Sequence, residues 1–207
     1  MKTFIDMLNE DKGGKNLHLE HLEDEIINYG VDGGRAALNF LRSLRNMLAG
    51  GSRSSVNMTV KWDGAPAIFA GIDPKDGKFF VAQKSVFNVS PKLYKTKKEI
   101  DDDLSGTLNS KFKVALKEFS KLGIKGVLQG DLMFTDDVGK DTIDGIKYFT
   151  FQPNTIVYAV PMDSKFGKII NKAKIGIVWH TTYSGDALQD MKASFGVNIS
   201  GLKKTSK

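Results

Sequence analysis

The chain of 207 residues has no cysteine, which excludes a disulfide framework and thiolate metal sites and fits a reducing compartment. It also lacks any run approaching the roughly 20 apolar residues of a membrane helix. The amino-terminal stretch MKTFIDMLNEDKGGKN spaces its apolar residues with charges instead of gathering them as a signal peptide does. A cytoplasmic protein with no membrane partner is therefore expected. No Gly-x-Ser-x-Gly elbow, HExxH helix or paired-carboxylate signature is present, and GIDPKDGK misses the spacing of a phosphate loop. Histidine is scarce. His18 and His21 lie three residues apart beside Glu20, Glu23 and Asp24, with no third ligand placed by spacing, so a solvated helix face is expected there. His180 follows an apolar strand and either faces a cleft or, as the default reading, is a hydrogen-bonded strand-end histidine.

What is present is the composition of a folding globular chain, 41% hydrophobic and 26% charged, long enough to bury a sizeable core. The net charge is +6, and much of the excess comes from KLYKTKK (Lys92 to Lys98) and the tail GLKKTSK. Such a field suits a phosphate-rich partner or simply a solvated lysine-rich surface.

From Leu17 the pattern LHLEHLEDEIINYG aligns Leu19, Leu22, Ile26 and Ile27 with acids opposite, and Gly30 stops it. A second amphipathic stretch, GGRAALNFLRSLRNMLAGG, sets Ala37, Phe40, Leu41, Leu44 and Leu48 inward. Together they predict a helical hairpin over residues 1–52. From 53 to 207 the texture is β-rich: VNMTVKW, PAIFAGI, KFFVAQKSVF, KGVLQGDLMF, KYFTFQ, NTIVYAVP and KIGIVWHTTY read as strands, with DPKDGK as a hairpin turn. Helices are expected from about Ser110 to Leu122 and over SGDALQDMKASFG, and the acids Asp101 to Asp103 as a loop or helix start. There is no internal repeat. Helices followed by a strand-rich body predict an α+β fold with a mostly antiparallel sheet.

Within TVKWDGAPAIFAG, Lys61 stands at a strand end directly before an Asp-Gly turn. A lysine held by rigid backbone is a nucleophile when its surroundings supply the neutral amine. KWDG resembles motif I of the covalent nucleotidyltransferases, the superfamily of ATP-dependent DNA ligases, RNA ligases and mRNA capping enzymes. FFVAQKSVF, with Lys84 before Ser85, is similar to the strand that follows motif I in the RNA ligase branch. VLQGDLMF resembles motif III with Asp131 in the acid position, and NTIVYAV resembles motif IIIa with Tyr158 as its aromatic residue.

The resemblance covers about Met58 to Phe195 and implies an ATP-grasp-like ligase adenylation domain that forms lysyl-AMP at Lys61. That AMP would then pass to the 5′-phosphate of an RNA or DNA end. It implies a catalytic pair of Lys61 and Asp63, and nucleotide contacts from Thr59, Val60, Lys61, Gly64, Lys84, Asp131 and Tyr158. Asp131 would position Mg²⁺ or contact the ribose, Tyr158 would stack on the base, and Trp62 would anchor the loop by packing. The lysines of 92–98 and of the tail would track a nucleic-acid backbone. ATP is the nucleotide implied by the RNA ligase likeness, with a GTP-using capping enzyme or a non-catalytic binding relic as alternatives. The style of the motifs resembles that of phage proteins.

The pattern departs from the family in three places. Thr59 stands where the ligases carry an acid two residues before the lysine. Asp131 is one methylene shorter than the usual glutamate. No strand matches motifs IV and V: Asp144-Gly145 is a plain turn, and Lys172 with Lys174 has no motif IV ahead of it. A chain truncated before those strands is the corresponding expectation.

Overall fold

The computed structural model describes residues 22–50 and 62–203, which form two compact units on either side of the Lys61–Trp62 junction. The boundary expected after residue 52 and the strand expected over 56–61 fall outside the described residues, as does the start of the first helix.

In the first unit, α1 runs Leu22–Leu48 with acids Glu23, Asp24 and Glu25 in its first turn and Arg45 in its last, the arrangement that complements a helix dipole. It is broken at Gly30, whose backbone (φ 58°, ψ −130°) is one that glycine adopts without penalty. The two arms approach closely. A Cβ added at Gly33 would lie 1.8 Å from the Glu25 carbonyl oxygen, so this position accepts only glycine. Two helical arms meet at Gly30 in the part described, but Leu41 and Leu48, expected inward, are exposed.

The second unit is built on a five-stranded antiparallel sheet in the order β2-β1-β3-β7-β8, accompanied by a three-stranded antiparallel sheet β4-β5-β6. The strands are β1 (Ala67–Ile72), β2 (Phe79–Ala82), β3 (Val127–Phe134), β4 (Gly139–Ile143), β5 (Ile146–Phe151), β6 (Tyr158–Pro161), β7 (Gly176–Ser184) and β8 (Lys192–Phe195). The helices of this unit are α2 (Lys97–Asp103), α3 (Gly106–Phe119) and α4 (Lys165–Ile170).

Alternation along the strands divides the large sheet into two faces. Ile68, Ala70, Val81, Leu128 and Leu132 pack with Ile100 of α2 and with Phe112, Ala115 and Phe119 of α3. Phe69, Phe80, Ala82, Val127 and Tyr183 take the other face with Val86, Phe87, Leu188 and Met191. A third cluster, Met133, Phe134 and Phe151 with Tyr158 and Val160 against it, fastens the small sheet to the end of β3. The α+β, mostly antiparallel architecture expected from the pattern is the one found.

Several local expectations are corrected. The strand expected through Phe87 ends at Ala82, because Lys84–Phe87 turns into a 3-10 helix that buries Val86 and Phe87 under the sheet. The strand expected from Asn154 begins only at Tyr158, where pairing with β5 starts. The helix expected from Ser110 starts at Gly106 and ends at Phe119. The acids Asp101 to Asp103 close α2 instead of opening a helix. Thr96 starts α2 with a capping box, its side chain accepting from the Glu99 amide while the Glu99 carboxylate accepts from the Thr96 amide. The last expected helix is absent: Leu188–Asp190 is a 3-10 turn and Lys192–Phe195 is a strand on the edge of β7.

The lysine-rich segment is matched within the fold. Lys95, its side chain only 18% exposed, bridges Asp73 at 2.5 Å and Asp76 at 2.8 Å, while Lys92 reaches Asp103 and Lys98 reaches Asp102. Burial pushes the Lys95 ammonium down, but its hydrogen bonds to Asp73 and Asp76 outweigh this and leave it raised. Asp103 is held below the ordinary carboxylate range by Lys92 and Tyr94. Three lysines expected to face a polyanion are therefore paired with carboxylates of their own chain.

Candidate functional site

Residues 62–66 carry no regular structure, yet they are tied down at every step. Gly64 is the tightest point. A Cβ there would lie 2.7 Å from the Leu132 carbonyl oxygen and 2.8 Å from the Asp131 Cβ, so only a residue without a side chain lets the turn lie on β3. Just after it the Ala65 amide donates to the Leu132 carbonyl and the Leu132 amide donates to the Pro66 carbonyl, each near 3 Å. The Ala65–Pro66 peptide is cis. β1 then begins with Ala67 directly opposite Asp131.

The other side of the turn is held from the small sheet. The Asp63 amide donates to the Tyr158 hydroxyl at 2.8 Å, and the Asn154 side-chain amide donates to the Asp63 carboxylate at 3.1 Å. The Tyr158 ring stacks with Trp62 (centroids 5.1 Å apart) and with Phe151 (5.5 Å), linking the turn to β5 and β6. Tyr158, expected to lie under a base, has two protein rings against it and its hydroxyl engaged, so its evident work is to anchor the turn. Trp62, expected to anchor by packing, does pack on Tyr158, but it is also 42% exposed and offers the open aromatic surface here. Replacing Tyr158 with phenylalanine keeps the ring stack and leaves the Asp63 amide without its acceptor. The expected loss is about 1 kcal/mol of folding free energy, read as a lower urea midpoint.

Asp131 projects from the face of the large sheet that carries Phe69 and Tyr183, since Val127 and Gln129 precede it at two-residue intervals on β3. Its side chain is 16% exposed and its Oδ1 lies 3.5 Å from Nε2 of His180, itself 20% exposed. Nδ1 of His180 is 2.7 Å from the Thr181 hydroxyl. On the same face the Tyr183 hydroxyl donates to Gln129 at 2.7 Å. Burial raises the Tyr183 phenol above its ordinary value, which keeps it protonated as a donor.

Lys84 is exposed at the start of its 3-10 turn, with no ion-pair partner among the described residues. It follows Ala82, which pairs with Phe69, so β2 ends at the same end of the sheet where Ala67 meets Asp131. Contact brings together Asp63, Gly64, Asp131 and Tyr158, and topology brings Lys84 to the same end. Thr59, Val60 and Lys61 lie outside the described residues. Lys172 and Lys174 fall in the irregular link between α4 and β7, not on a strand.

Sequence reasoning passed over Asn154 and took His180 for a strand-end histidine, whereas it stands in the middle of β7. Asn154 holds the Asp63 carboxylate; its signal is the turn-forming Pro-Asn pair before the strand. His180 joins Asp131 through an irregularity in pairing that spacing does not announce. Among the described residues no group of three or more His, Asp or Glu side chains is arranged to hold a metal ion, and no helix is long and apolar enough to cross a membrane.

A family model described as a family of unknown function, DUF6267, matches residues 16–207, and the chain belongs to that family. No curated protein and no solved structure matches it.

Proposed function

We propose that this DUF6267 chain carries a nucleotidyltransferase domain of the polynucleotide ligase type, in which Lys61 accepts AMP from ATP and the AMP passes to a nucleic-acid 5′-phosphate. The observation that carries the reading is the seating of the Trp-Asp-Gly turn on β3. Gly64 lies against the backbone of Asp131 with no room for a methyl group, so the segment just after Lys61 is fixed beside the motif III acid. Lys84 and Asp131 are separated in sequence from the Lys61–Asp63 pair, and a nucleotide site needs them convergent. Asp63, next to the Gly64 that lies against Asp131, and Lys84 come to the same end of the large sheet as Asp131, which supports the reading.

In the reaction the neutral Lys61 amine attacks the α-phosphorus, a P–N bond forms, the P–O bond to pyrophosphate breaks, and the amine proton leaves to solvent. The Asp63 carboxylate, held by Asn154, shapes the turn that follows the lysine in sequence. Lys84 contributes positive charge toward phosphate or sugar. A magnesium ion keeps several waters and takes only one or two protein carboxylates beside the phosphates, a demand that the single carboxylate Asp131 meets. Bound there, it would screen the charge that accumulates on the phosphates.

The test is intact-mass measurement after incubation with ATP or with GTP and magnesium. The wild-type chain is expected to gain one AMP and Lys61→Ala to gain nothing. Gain of GMP alone would shift the reading to a capping-type guanylyltransferase, and no gain with either nucleotide overturns it in favour of a binding domain without chemistry.

A further inference from the structure

We propose that His180 is a positioning residue for Asp131, directing its carboxylate at the face on which the Trp-Asp-Gly turn is seated; the inference rests on reading that face as a nucleotide site. The carrying observation is a β-bulge. Between Gln129 and Gly130 the partner on β7 jumps from Thr181 to Trp179, which leaves His180 as an extra residue with no partner on β3.

In a regular ladder His180 and Thr181 would point to opposite faces. Here Trp179 packs on the helix-covered face against Phe119, while Thr181 opposes Gln129 and Tyr183 packs with Phe69 on the other. The bulge adds the imidazole to the side where Asp131 stands. An extra residue in mid-sheet gives up regular pairing, and such bulges recur where a side chain must be re-aimed. The backbone of His180 is nonetheless held on its other edge, where its carbonyl accepts from the Gly196 amide at 2.8 Å.

The surroundings of the ring select its role. Thr181 is buried and its hydroxyl sits 2.7 Å from Nδ1; donation from that hydroxyl places the ring proton on Nε2, which faces Asp131. No other cationic side chain lies within ion-pair reach of Asp131 among the described residues. At 3.5 Å the pair is a few tenths of an ångström from a hydrogen bond, a distance that commonly closes when a ligand binds. With Oδ1 engaged by the imidazole, Oδ2 is the oxygen left for a ligand. Residues that orient a ligating carboxylate in this way typically change affinity or activity 10–100-fold when removed.

The test combines two readouts on the full chain. Nitrogen-15 spectra of the histidine rings, assigned with His180→Gln, are expected to show His180 as the Nε2–H tautomer, with its resonances moved by Asp131→Asn. Nucleotide incorporation at saturating ATP is expected to slow about tenfold in His180→Ala and to recover largely in His180→Gln, which keeps an N–H donor, with thermal midpoints alike. An Nδ1–H tautomer indifferent to Asp131→Asn overturns the inference, as does wild-type incorporation by His180→Ala. If the wild-type chain takes up no nucleotide, the functional reading falls on its own account, and the ring spectra still decide whether His180 is coupled to Asp131.

Discussion

Phe112→Ala is expected to lose about 3–5 kcal/mol of folding free energy, which is a large part of the 5–15 kcal/mol that holds a typical domain folded. Phe112 is fully buried and lies in the cluster that joins α2 and α3 to the large sheet. Its ring meets Tyr94 edge-on with centroids 5.7 Å apart, and Tyr94 is itself tied to Asp103 by its hydroxyl and to Val81 by its backbone. Truncation leaves a cavity between a helix and a sheet, two rigid elements that relax little to fill it. Urea unfolding monitored by far-ultraviolet circular dichroism measures the loss. A midpoint within error of the wild type would mean that the helices do not depend on this ring.

Gly64→Ala is expected to separate the site from the fold. The added methyl would lie 2.7 Å from the Leu132 carbonyl oxygen, and neither β3 nor the turn can withdraw without breaking the two hydrogen bonds that follow Gly64. Overpacking of this kind costs about 1–3 kcal/mol, and the strain is relieved most readily by lifting the turn from Asp131. The expected result is a chain that keeps its circular dichroism at room temperature and shows fast amide exchange at Ala65 and Leu132. Nucleotide uptake should be lost. Unchanged exchange at those two amides would show that the turn tolerates the methyl group and that close seating is not required.

Much of the architecture could be read before any coordinates. β1, β3, β5 and β7 are apolar runs bounded by turn residues, and Asp144-Gly145 makes the tight hairpin its sequence announces, both residues having positive φ. What escaped did so for identifiable reasons. β4 is exposed at every residue, so GKDTI has no buried face to imprint an alternation. In the segment after Gly185, Leu188 and Met191 sit three apart as on a helix, yet they fill the cluster around Phe87 from a 3-10 turn. The residues that follow satisfy the open edge of β7, a demand made by another strand and invisible locally. α2 did carry its signal, the Thr-x-x-Glu capping box, beneath a run of lysines that drew attention to charge. The approach of His180 to Asp131 escaped because a bulge breaks the two-residue rhythm on which strand reading depends.

That odd residue also makes strand length a constrained quantity. Removing one residue between Trp179 and Thr181 would restore regular pairing opposite Gln129 and Gly130 and withdraw the imidazole, while adding one would turn either Trp179 or Tyr183 out of its cluster. Along β7 only Ser184 is exposed, so its side chain alone is free to vary within wide limits. The tally of residues from Gly176 to Tyr183 is not, and insertions or deletions belong in the exposed turns instead.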